Sequence, residues 1–82
     1  MIEPGERAAL ENAGWAYYED GYWRKDVGVY QAIVGGRDEH GFRWTVWFHG
    51  LKASNYNRSV IDAAQCATLE AQHLQRHSKK EP

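Results

Sequence analysis

A chain of 82 residues, 43% hydrophobic and 13% aromatic, holds enough apolar side chain for one folded domain and too much for a disordered one. Its net charge of −1 excludes the basic excess that phosphate-binding proteins usually carry. Cys66, the single cysteine, excludes an internal disulfide and leads to the expectation of a reducing, cytoplasmic setting.

Charge is unevenly spread, with residues 1–26 at −3 and residues 40–82 at +3, a modest polarity of the kind that ordinary surface solvation produces. No apolar run approaches the roughly 20 residues of a membrane span, and the acidic start MIEPGER is unlike a signal peptide, so no membrane partner is expected. The reading is of a single domain over residues 1–82, with mobile ends at 1–5 and 78–82.

Taken in order, ERAALENA at Glu6–Ala13 predicts a two-turn helix, with Glu6 at its positive end and Gly14 placed to stop it. A helix that short must pack through Leu10 to persist. In WAYYEDGYWRK, Asp20-Gly21 reads as a two-residue hairpin turn between Trp15–Glu19 and Tyr22–Lys25, with a bulged edge strand as the alternative. Two runs of alternating residues then predict paired strands. Tyr30, Ala32, Val34, Trp44, Val46 and Phe48 form one apolar face, and Gln31, Arg43 and Thr45 point the other way. GGRDEHG at Gly35–Gly41 reads as an exposed loop, and GLKASNYNR at Gly50–Arg58 as a polar connection.

The last segment is helical. Ser59 with Asp62 resembles a capping box, and Val60–His77 contains neither Gly nor Pro. Val60, Ala63, Ala64, Ala67, Ala71 and Leu74 share a stripe whose small residues suit close packing against Trp44 and Phe48. Ile61 and Leu69 fall outside it. The expected fold class is α+β: an antiparallel sheet of three to four strands, a short N-terminal helix, and a long C-terminal helix packed on one face.

Catalytic motifs are missing, so the chain is expected not to be an enzyme and to need no cofactor. The pairs Glu19/Asp20 and Asp38/Glu39 sit where turn acids favour solubility. Cys66, His73 and His77, with Glu70, fall in one sector of the last helix, and the spacing of the histidines can place two imidazoles on zinc. The competing reading is a solvated sector near a helix C-terminus, where the dipole favours histidine. Cys66 alone reads as a small packing residue.

Trp15, Tyr30, Trp44 and Phe48 read as core. Trp47, Val29, Ile33 and one of Tyr17 or Tyr18 (Tyr18 the preferred candidate) read as a second-face aromatic patch rimmed by Arg43 and His49, the composition of a protein-binding hot spot. The alternative is that the N-terminal helix or a second subunit covers this patch. A homodimer centred on Leu69 or Trp47 would relieve the apolar excess. Lys52, Arg58, Arg76, Lys79 and Lys80 are the residues that would meet phosphate if the partner were nucleic acid.

The pieces VYQAIV, RWTVWFHGL and SVIDAAQCA, in that order, resemble the strand–strand–helix core of HicB-type antitoxins, with FHGLKAS standing where that family has proline-glycine. The helix–strands–helix order is also similar to double-stranded-RNA-binding domains. That family's lysine cluster would fall at RSVIDAA, where only Arg58 is basic. A sheet backed by one helix is similar to the arm-binding domains of phage integrases, which would place Arg43, Thr45 and Trp47 on DNA. In length, aromatic content and cysteine poverty the whole chain resembles the small proteins of phages and mobile elements, anti-CRISPR proteins among them. That resemblance implies a protein partner in a host defence nucleoprotein complex, occluded in the cytoplasm without chemistry. It is the preferred expectation; direct nucleic-acid binding ranks second.

Overall fold

A computed structural model describes residues 4–78. The chain runs α1 (Pro4–Asn12), β1 (Ala16–Tyr17), β2 (Trp23–Val27), β3 (Tyr30–Asp38), β4 (Gly41–Trp47), β5 (Leu51–Asn57) and α2 (Val60–Ser78). The strands form one antiparallel meander in sequence order, five strands in all, with α2 laid mainly over β3 and β4. The class is α+β, as the patterning implies. Pro4, Gly5 and Ser78, expected in mobile ends, belong to the helices. Residues 1–3 and 79–82 lie outside the described residues, including Lys79 and Lys80.

α1 ends as its sequence dictates. Gly14 takes a positive φ of 98°, the Trp15 N–H donates to the Leu10 carbonyl at 2.9 Å, and the Gly14 N–H to the Glu11 carbonyl at 3.1 Å. This is the double closure that an αL glycine makes possible, and it brings Leu10 and Trp15 together, both buried. α2 starts at Ser59, whose hydroxyl accepts from the N–H groups of Ile61 and Asp62 at 3.1 and 3.3 Å.

The core lies between α2 and one face of the sheet. Val60, Ala63, Ala67 and Ala71 are fully buried on the helix, against Ala32, Val34 and Val46, which are equally buried on the strands. Trp23, Trp44, Phe42 and Tyr30 supply the bulk between these layers. The alanine stripe lets the helix approach where large rings already fill the space. Trp44 Nε1 donates to Asn57 Oδ1 at 2.9 Å, tying β4 to the end of β5. Trp23 Nε1, by contrast, is buried with no hydrogen-bond partner among the described residues.

Three segments depart from the sequence reading. The β1–β2 hairpin forms, but Tyr17 pairs with Trp23, so its loop spans Tyr18–Tyr22 and is not a two-residue Asp-Gly turn. Gly35–Gly41 is largely strand: β3 runs to Asp38 through a register shift between Val34 and Arg37, leaving only Glu39-His40 as the turn. The Gly50–Arg58 connection contains β5, paired with β4 and bulged between Val46 and Trp47. On β5 the Asn55 side chain accepts the Tyr56 N–H at 2.8 Å.

Two consequences can be measured by urea unfolding. Trp44→Phe should cost about 1–3 kcal/mol more than Trp23→Phe, because only the first leaves a hydrogen-bonding partner, Asn57, unpaired. Ala67→Leu, which inserts volume into a fully packed contact, should lower stability by roughly 1–3 kcal/mol.

Candidate functional site

Both helices lie on one side of the sheet, so no described element covers the other face. Its side chains follow from the register. Arg24, Ile33, Thr45 and Ser54 form a row across β2–β5; Asp26, Gln31, Trp47 and Leu51 form the next; Arg43 and Tyr56 begin a third. Trp47 and Leu51 are 49% and 56% exposed, and Tyr56 is also open to solvent.

Tyr22 completes the third row by lying over Gly35. A Cβ on that buried glycine would come within 2.7 Å of Tyr22 Cε1, so the ring needs glycine beneath it. Tyr22, Arg24, Ile33, Gly35, Arg43 and Thr45 together line a shallow depression of about 250 Å³.

The two arginines of this face are in different electrostatic states. Arg24 Nη2 donates to Asp20 Oδ2 at 2.6 Å and its guanidinium stacks 4.6 Å from the Tyr18 ring centroid. The same aspartate accepts the Tyr22 N–H at 3.1 Å, which fixes the β1–β2 loop. The hydrogen bond from Arg24, helped by that from Tyr22, holds the Asp20 carboxyl below its ordinary value. Arg43 donates from Nε to Ser54 Oγ at 3.2 Å, and no acid neutralises it among the described residues. The face therefore carries two charges that no opposite charge engages among the described residues, the basic Arg43 and the acidic Asp26 of the second row.

Of the expected contact residues, Trp47, Arg43 and Ile33 share this face, and Tyr18 joins it through Arg24. Val29 does not: it sits in the Gly28-Val29 turn between β2 and β3. His49 does not either. It lies in the β4–β5 turn at a φ of 53°, its ring 4.4 Å from that of Phe48. The alternative in which α1 covers the patch does not hold, since α1 packs beside α2. Leu51, Tyr56 and Ser54 went unseen because β5 was read as a connection. Its only sequence trace is the alternation of Ala53 and Asn55 with Ser54 and Tyr56; the bulge at Lys52 then brings Leu51 to the same face as Ser54 and Tyr56.

Among the described residues the basic candidates do not form one surface. Arg58 precedes α2 and Arg76 closes it, about 27 Å apart along a helix axis at 1.5 Å per residue, while Lys52 sits at the bulge of β5. The His73 and His77 rings are 4.2 Å apart, but Cys66 is packed against the core. No group of three or more ligating side chains is gathered among the described residues. No described helix is long and apolar enough to cross a membrane.

Comparison with protein-family models, with curated proteins and with solved structures finds no match.

The Asp20–Arg24 contact can be tested by titration. The Asp20 carboxyl resonance should titrate below the ordinary aspartate range and move up in Arg24→Met. Because the folded-state pKa is the depressed one, the contact's contribution is present at neutral pH and lost as pH falls through that pKa.

Proposed function

We propose that the chain is a small interaction domain that works by occupancy, binding a protein partner through the open face of its sheet. The observation that carries this reading is the conjunction of uncovered large side chains, Trp47, Leu51, Tyr56 and Tyr22, with an arginine that no acid engages among the described residues. Trp, Tyr and Arg are the residues that dominate binding energy at protein interfaces, and a flat sheet held from behind presents them with little entropy left to lose. The acid complementary to Arg43 is then expected on the partner.

In its finer form the proposal is a phage-type inhibitor resembling anti-CRISPR proteins, acting in the host cytoplasm on a surface of a nucleic-acid-handling complex. Its support is the short, aromatic-rich, single-cysteine chain. Self-association is a further proposal for the apolar surface, with Leu69 61% exposed on the helical side. Nucleic acid is the second reading: Tyr18 on Arg24 and the neighbouring Tyr22 and Tyr56 resemble stacking platforms for bases.

Affinity capture from bacterial lysate, with and without nuclease, separates these. Trp47→Ala and Arg43→Ala should each weaken recovery of the partner by about 30-fold, the loss typical of a hot spot, while Arg76→Ala leaves it unchanged. Recovery indifferent to both sheet-face variants removes this face from consideration. Recovery abolished by nuclease and falling steeply with salt transfers the site to nucleic acid.

A further inference from the structure

On the helical side of the fold a second feature stands apart from the sheet face. Between α1 and α2, beside Lys25 of β2, lies a groove of about 550 Å³. Its lining is mainly apolar, with Leu10, Trp15, Ala9, Ile61 and Ala64, and the uncharged polar Gln65, Thr68 and Gln72 join it from α2. Leu69 stands on the rim, an exposed large apolar side chain among the lining residues.

One charged side chain lines this groove, and it comes from the wrong face of the sheet. Lys25 is paired with Ala32, which is fully buried, so it issues from the helix-covered side of β2. Its stem passes beside Gly14, with Cε 3.5 Å from where a Cβ would stand, and carries the ammonium to the groove. No acid meets it among the described residues. A lysine kept on a core-facing position can be tolerated by extending its stem to water. Here the ammonium comes to an apolar concavity and lacks a counter-charge, the combination of apolar walls and one placed polar group that small-molecule sites use.

We infer that this groove binds an anionic amphiphile, an acyl carboxylate whose chain lies along Leu10, Trp15 and Ile61 and whose head meets Lys25. The apolar lining supplies affinity for the chain, and the unpaired ammonium selects the sign of the head group. A cationic amphiphile of the same length would place like charges together, and a neutral one would leave the ammonium unmatched.

The test uses the whole chain labelled with ¹⁵N and titrated with dodecanoate, dodecanol and dodecylammonium, each below its micelle concentration. Dodecanoate should shift the amides of Leu10, Gly14, Trp15 and Thr68 and bind at least about tenfold tighter than dodecylammonium, the scale of one charge-assisted contact. Lys25→Met keeps the stem and should abolish that preference while leaving dodecanol binding unchanged; Lys25→Gln is the second variant if the first fails to fold. Ala9→Trp, at an exposed position on the groove wall, should block all three ligands. Three results would overturn the inference: no shifts in the groove, equal affinity for the cationic and anionic amphiphiles, or a preference that survives loss of the ammonium. A fourth would overturn it too: light scattering that shows a dimer which Leu69→Glu dissociates, because the groove would then belong to a second copy.

Discussion

The close approach of α2 to the sheet is the constraint on which the rest of the molecule depends. Alanines at Ala63, Ala64, Ala67 and Ala71 bring the helix axis near β3 and β4, and the rings of Trp23 and Trp44 fill what remains. A single helix can cover only the middle of a five-stranded sheet on one side. The position of α1, the exposure of the opposite face and the groove between the helices all follow from that. α1 has nowhere to go but beside α2, where Leu10 and Trp15 complete the core at its margin. What is left over is surface, and in a small domain surface is a large share of the whole.

The core half of this arrangement was legible in the sequence because burial imposes a period. Tyr30, Ala32 and Val34 on β3, and Trp44 and Val46 on β4, had to alternate, and the helical stripe had to recur with a period near 3.6. Ser59 and Gly14 were legible for a different reason: helix ends need specific donors and specific backbone angles. β5 was not legible. Most of its side chains stay exposed, and the one nearest the core is only Ala53, so hydrophobicity left no mark. Glu39-His40 was hidden similarly. Beyond Val34 the β3–β4 hairpin carries GGRDEHG, a polar composition that belongs to loops and to exposed hairpins alike.

The candidate site was half legible. Trp47, Ile33 and Arg43 were placed on one face by alternation alone, which the ladder preserves. Val29 and His49 obeyed the same alternation on paper, yet each falls where the chain turns, and a turn cancels parity. Tyr22 and Arg24 were missed because their roles depend on contacts that cross the β1–β2 loop: the aspartate that engages Arg24, and the glycine on β3 that admits the Tyr22 ring. Such contacts are tertiary, and no local pattern announces them. In this domain the buried face is written in periodicity, and the candidate face is written in pairings.

The Asn55 amide on β5 has a consequence for how copies of this chain meet in crowded solution. An outermost strand with vacant main-chain donors is a template on which a like strand can crystallise, and successive additions make a fibre. Here one donor, at Tyr56, is already taken by the side chain before it, and the bulge beside Lys52 breaks the straight run a newcomer would need. At the other margin β1 offers only Ala16 and Tyr17, too little for a strand to grip. The sheet is thus poorly suited to growth sideways. The margins of the exposed aromatic face are made poor templates by a single asparagine and a bulge.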